Sequence, residues 1–91
     1  MSDLPEPQVE IAVPDAVKLG SYANFLVVTH TAHEFTLDFC QVLPGGDPSL
    51  MQAEVVGRVK IAPTLAGKVI RALNENMTMY EDKFGLVPDV G

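Results

Sequence analysis

The chain has 91 residues, a net charge of −6 and one cysteine, which limits it to one small domain without an internal disulfide. The negative charge argues against binding nucleic acid or an anionic membrane surface, because both require a basic face and only six Lys and Arg residues are present. The start of the chain does not resemble a signal peptide and no apolar run reaches transmembrane length, so the sequence predicts a cytoplasmic location.

The chain is predicted to fold as a single domain over residues 8–87, with flexible tails at residues 1–7 and 88–91. At the start of this domain, the segment Gln8–Val13 alternates, with Val9, Ile11 and Val13 on one side and Gln8 and Glu10 on the other. A period of two is typical of a strand with one buried face, and Pro14 would end such a strand. We therefore expect a short edge strand, then at most one helical turn. The sequence leaves open whether the strand joins its own sheet or that of a neighbour.

Two central strands are predicted at Tyr22–Thr29 and Glu34–Leu43, joined by a tight connection at His30 to His33. The first strand is apolar on both faces, and such a strand is usually covered on both. One helix covers only one face of a sheet, so the second cover must come from another subunit or a partner. Asn24 is unusual in such a strand. It is expected to bond backbone groups at the start of the sheet, to contact a second subunit or to face outward.

A third strand is predicted at Leu50–Ile61, after a loop rich in proline and glycine. Its polar residues Glu54, Arg58 and Lys60 are expected on one face, where they would pair with charged residues of the neighbouring strand. Gly57 lies in the opposite, apolar face. A glycine at such a position marks a bulge or the close approach of another element, here the helix.

A long amphipathic helix is predicted from Pro63, which favours the first turn, to about Phe84. Gly85 is a natural C-terminal cap, after which Leu86 is expected to fold back. Gly67 is costly inside a helix, so we expect tight packing against the sheet at this position. Together the elements predict an α+β fold, with an antiparallel meander sheet of three to four strands and one C-terminal helix packed on one face.

The main candidate site is the sheet face opposite the helix, where apolar residues are expected among the charged ones and could form an interface. These residues are Phe25, Val27, Cys40, Val42 and Val56. The pattern does not identify an activity. It favours a non-enzymatic protein-interaction module that acts as a homodimer through its sheet and needs no cofactor. The alternative is a chaperone-like or adaptor protein that binds another polypeptide on the same face.

A second alternative is a small metal-binding protein. His30, His33, Glu34 and Asp38 offer ligands for a divalent cation, but no further ligand follows at a recognisable spacing. Cys40 could act as a nucleophile with one of the histidines. The carboxylate two residues before it disfavours the thiolate that this chemistry needs, so a small apolar role is the simpler interpretation.

Several short motifs follow one another across most of the domain. They are Tyr22-Ala23-Asn24-Phe25, His30-Thr31, Glu34-Phe35, Leu37-Asp38-Phe39, Ala53-Glu54-Val55-Val56, Arg58-Val59, Pro63, Ala66, Ala72-Leu73, Glu75-Asn76, Tyr80-Glu81 and Phe84-Gly85. In order and spacing they resemble a family of small prokaryotic proteins catalogued as domain of unknown function 3467, over roughly residues 21–87. The resemblance implies a small α+β domain and no known activity. In that pattern the position of His33 is often acidic or otherwise polar, which weakens the metal hypothesis.

Overall fold

The computed structural model describes residues 7–88, so all but the innermost residue of each predicted tail, 1–7 and 88–91, lies outside the described part. A three-stranded antiparallel sheet in the order β1-β2-β3 is followed by one long helix, and a short 3-10 turn precedes them. The elements are the turn at Asp15–Val17, β1 at Phe25–His30, β2 at Phe35–Val42, β3 at Ala53–Ile61 and α1 at Pro63–Phe84. The predicted α+β architecture is confirmed, with three strands in the sheet.

The hairpin of β1 and β2 is closed by a threonine. The strands pair in an unbroken register that starts with Phe25 opposite Cys40. In the connection, the Thr31 N–H donates to the Glu34 carbonyl oxygen at 2.9 Å. The Thr31 Oγ1 accepts hydrogen bonds from the amides of His33 and Glu34 at 3.1 and 3.3 Å. A hydroxyl that bonds backbone groups in this way stabilises a turn without a glycine.

Asn24 shapes the open end of the same hairpin. Its N–H donates to the Cys40 carbonyl oxygen, and its Oδ1 accepts a hydrogen bond from the Val42 N–H, both at 2.9 Å. Backbone bonding at the start of the sheet is therefore the role that the structure shows for this residue. Because a side chain replaces a main-chain acceptor here, the regular ladder begins at Phe25 and not at Tyr22.

A bulge interrupts the pairing of β2 with β3. Phe39 lies opposite Gly57, and the next residue, Cys40, lies opposite Val55, so Val56 is an extra residue on β3. Directly opposed residues share a face of the sheet. The alternation of β3 therefore changes phase at the bulge. Odd-numbered residues before the bulge lie on one face of the sheet, and odd-numbered residues after it lie on the other.

The bulge corrects two expectations for β3. Glu54 lies opposite Gln41, so it is on the other face from Arg58 and Lys60, and the prediction that the three share a face is wrong. Gly57 adjoins the bulge, as one interpretation of this glycine expected. The helix does not pack over Gly57, since a Cβ built there would have no heavy atom within 4 Å.

The helix α1 begins and ends where the sequence predicts. Gly85 caps it with a φ of 92°, a conformation that favours glycine, and donates its N–H to the Glu81 carbonyl oxygen at 2.9 Å. Leu86 is exposed, so the expected fold-back is wrong. A Cβ on Gly67 would also meet nothing within 4 Å. Tight packing within the chain is therefore not what accommodates Gly67.

The predicted edge strand at Gln8–Val13 does not join the sheet of its own chain. None of its residues is in a strand, and the apolar Val9, Ile11 and Val13 are all exposed. The short helical turn after Pro14 forms as expected. This segment therefore keeps the alternation of a strand but has no strand partner within residues 7–88.

Candidate protein interface

An apolar cleft separates α1 from the sheet. Its volume is about 220 Å³, several times the roughly 30 Å³ that one water molecule occupies in the liquid. All of the residues that line it are apolar: Leu26, Val28, Phe35, Leu37 and Ile61 from the sheet, and Ala66, Val69, Ile70 and Leu73 from the helix. The helix therefore faces the sheet without closing on it, and the two apolar surfaces stay partly exposed.

The cleft shows which face of β1 meets the helix. Leu26 and Val28 line it, so Phe25 and Val27 point to the opposite side, which we call the outer face. Cys40 lies opposite Phe25 and shares that face. The structure thus resolves an ambiguity that the sequence leaves open, because both faces of β1 are apolar.

The predicted interface residues lie on or beside the outer face. Phe25 and Val27 are partly exposed there, and Val42 follows Cys40 on the same side of β2. Val56 is the extra residue of the bulge and has no partner in the register. Cys40 is buried, with 4% of its surface exposed, and its Sγ donates to the backbone carbonyl of Asp38 at 3.4 Å. Its burial fits a small apolar residue.

Two ion pairs occupy the remainder of the outer face. The Nε and Nη2 of Arg58 donate to the two carboxylate oxygens of Asp38 at 2.6 and 3.0 Å, the two-pronged geometry that favours arginine. The Nζ of Lys60 donates to Glu34 at 2.9 Å and to the Thr36 hydroxyl at 3.2 Å. The predicted charge pairing is therefore present for Arg58 and Lys60, and it makes this face a mixture of apolar and charged groups.

The ion pair with Arg58 lowers the pKa of Asp38. Its hydrogen bonds hold the pKa of the Asp38 carboxyl below the usual value of 3.8. A carboxyl with a lowered folded-state pKa stabilises the fold above its unfolded pKa, and this contribution is lost as the pH falls through the folded value. We expect a carbon-detected titration to place the Asp38 pKa below 3.8, and Arg58→Gln to return it toward that value. An unchanged Asp38 pKa in Arg58→Gln would contradict this assignment.

The suggested metal ligands are not assembled into one site. The ring of His30 stacks on Phe35, with centroids 5.3 Å apart, and the carboxylates of Glu34 and Asp38 are engaged by the cations described above. His33 lies in the hairpin connection. Between residues 7 and 88, no group of three or more His, Cys, Asp or Glu side chains is arranged to hold a metal ion.

The apolar stripe of α1 continues beyond the cleft. The last helical residue to line the cleft is Leu73, yet Met77, Tyr80 and Phe84 extend the stripe and are exposed. The rings of Tyr80 and Phe84 lie 4.9 Å apart between centroids and border a shallow groove along this half of the helix. The second half of α1 thus presents an apolar surface that no other element in the described part of the chain covers.

The amphipathic pattern of the helix predicts that its whole apolar stripe packs on the sheet, but α1 is longer than β1. A helix of 22 residues is about 33 Å long, whereas a strand of six residues spans about 20 Å. The end of the helix therefore extends past β1. The predicted strands are longer, at about 26–40 Å, so a comparison of predicted lengths could not have identified the uncovered half.

Comparison with known proteins places the chain in a family. No helix in the described part of the chain has both the length and the apolar character needed to cross a membrane. Searches of curated proteins and of solved structures find no match. A family model described as "Protein of unknown function (DUF3467)" matches residues 1–88, which confirms the resemblance seen in the motifs. The chain therefore belongs to the DUF3467 family.

Proposed function

We propose that this protein is a non-enzymatic interaction module that acts as a homodimer, in which a second copy completes the core that one chain leaves open. The observation that carries the proposal is the lack of burial. Among residues 7–88, Cys40 is the one buried side chain. Folding must offset the loss of conformational entropy through apolar burial. A chain with its apolar residues exposed in every element needs another surface to cover them.

The amount of exposed surface supports a partner of protein size. The chain exposes 8599 Å², whereas a compact protein of its 9.8 kDa exposes about 5,200 Å², roughly 3,400 Å² less. Its radius of gyration is 17.5 Å, against about 12 Å for a compact domain of this length. Obligate homodimers bury about 2,000–5,000 Å² in total, which is about 1,000–2,500 Å² of each chain. A second copy can therefore cover a large part of this excess, and a small ligand cannot.

We place the interface on the side of the sheet that carries the cleft. The cleft is lined only by apolar residues, and the uncovered half of α1 continues the same surface. The outer face carries Phe25 and Val27 but also two ion pairs, and ion pairs at a rim add little affinity. The outer face, which the sequence favours, is the competing position.

Solution mass tests the proposal. Light scattering on a sizing column is expected to give twice the 9.8 kDa mass of one chain across micromolar concentrations. The mass should persist at high salt, because apolar burial is not screened. Phe25→Asp, on the outer face, is expected to remain a dimer; a monomer for this variant alone would move the interface to that face. A wild-type monomer at every concentration would contradict the homodimer.

An adaptor or chaperone-like function is the second candidate, because exposed apolar patches mark sites for other proteins. The open cleft is the observation that favours it. Suppression of a client's aggregation at stoichiometric ratio would support this function, whereas a stable dimer without such activity would support the self-associating module.

Cytoplasmic location is part of the proposal and rests on cysteine usage, since one cysteine gives no internal disulfide.

A further inference from the structure

The segment Gln8–Val13 has the pattern of a strand and no partner. Val9, Ile11 and Val13 alternate with Gln8, Glu10 and the small Ala12, and Ile11 is 84% exposed. No backbone hydrogen bond joins it to any other segment within residues 7–88. The turn that follows is ordered, with the Val17 N–H donating to the Pro14 carbonyl oxygen at 3.0 Å. An alternating segment of this kind buries one face only when it pairs with a sheet.

The two outer strands of the sheet differ in how open their edges are. β3 carries the bulge at Val56 and the charged residues Glu54, Arg58 and Lys60, and both features hinder pairing at an edge. β1 has neither feature. Its six residues, Phe-Leu-Val-Val-Thr-His, contain no Lys, Arg, Asp, Glu or Pro, and they keep a regular register. β1 therefore offers an unprotected edge whose length matches that of the six-residue segment.

We propose that Gln8–Val13 of each chain adds as a fourth strand to the free edge of β1 in the second copy. This inference rests on the homodimer proposed above and specifies part of its contact. Val9, Ile11 and Val13 would extend the apolar sheet wall formed by Leu26 and Val28. The polar residues of the segment would then continue the outer face. One added strand satisfies the open backbone groups of β1 and buries the exposed side chains of the segment.

A second copy is favoured over the segment's own chain for two reasons. The connection through residues 14–24 is long enough to reach the chain's own β1, yet the segment lies undocked in the structure of one chain. A twofold axis also makes the exchange reciprocal, so that both free edges and both segments are covered together. Strand addition at a sheet edge is a common form of protein recognition.

The test compares Ile11→Asp with Leu19→Asp. Both residues are exposed in the single chain, at 84% and 98%, and both variants gain one negative charge, but Leu19 lies outside the segment. We expect Ile11→Asp to raise the dimer dissociation constant at least a hundredfold to a thousandfold, because the substitution affects both of the reciprocal contacts. Leu19→Asp should leave it nearly unchanged. Equal effects of the two substitutions would overturn the proposal.

Hydrogen exchange and isotope-filtered NOEs on the wild-type protein provide a second readout that needs no variant. In the dimer, the β1 amides that point away from β2 should be protected. A sample that mixes labelled and unlabelled chains should show NOEs between Ile11 and the residues of β1 across chains. A dimer with unprotected outward amides would overturn strand addition and leave the homodimer intact. Protection with NOEs only within one chain would also overturn it. A wild-type monomer would instead contradict the homodimer itself.

Discussion

Replacing Leu73 with aspartate is expected to convert the homodimer into a monomer. Leu73 is 65% exposed in the single chain, so a monomeric protein would tolerate the change at little cost. In the proposed dimer its side chain is buried, which contributes about 2 kcal/mol, and a buried unpaired carboxylate costs more. Both chains of a symmetric dimer carry the substitution, so its free-energy cost applies twice. The loss of about 4 kcal/mol or more corresponds to roughly a thousandfold higher dissociation constant.

Sedimentation equilibrium of Leu73→Asp beside Asn74→Asp measures this effect. Asn74 is the next residue along α1, is exposed and lines neither the cleft nor the groove beside Tyr80, so its substitution introduces the same charge away from the apolar stripe. We expect Asn74→Asp to associate like the wild type. Wild-type affinity in Leu73→Asp would show that the interface lies elsewhere.

Replacing Cys40 with aspartate is expected to have the largest effect on folding stability. Cys40 is the buried residue of the sheet, opposite Phe25 in β1 and Val55 in β3. A carboxylate there would lack a cationic partner of its own and would lie two residues from Asp38 on the same face. We expect a loss of about 4 kcal/mol or more. A domain of 91 residues has only about 5–14 kcal/mol in total.

Urea denaturation at a fixed protein concentration measures this loss, because the stability of a dimer depends on concentration. Cys40→Ala is expected to cost far less than the aspartate variant, since it leaves only a small cavity. Thr29→Asp is the matched control, because Thr29 is exposed on the same outer face, opposite Thr36, and away from the proposed interface. If Cys40→Asp were as stable as Thr29→Asp, burial at Cys40 would be disproved.

The helix and the hairpin could be predicted because their determinants are local. The apolar period of α1, the proline at its first turn and Gly85 after its last turn all lie within the helix or next to it. The starts of β1 and β3 were harder. The side chain of Asn24 takes over the end of the hairpin. The Asp47 side chain and carbonyl bond the amides of Ser49 and Leu50 in a turn, where the sequence already predicts strand.

The register and the candidate site depend on non-local geometry. Alternation along β3 is regular except for Val56 among the polar residues and Gly57 among the apolar ones, and neither irregularity by itself shows that Val56 is an extra residue. The sequence correctly indicates that one helix cannot cover this sheet. It places the uncovered surface on the outer face, because it assumes that the helix closes on the other face. Whether a helix closes depends on side-chain packing across the layers, which periodicity does not describe. The cleft lined by Leu37 and Leu73 became visible only in three dimensions.

The bulge at Val56 also affects how relatives of this protein should be aligned. Ahead of the bulge, Val55 shares a face with Cys40, whereas beyond it Val59 shares a face with Leu37 on the cleft side. A relative that lacks one residue here would exchange the two faces of the first half of its β3, even if every remaining amino acid were identical. Chain length at this position therefore constrains the sheet as strongly as side-chain chemistry does. An alignment that places a gap one residue away from the bulge would match apolar positions of one protein with polar positions of the other.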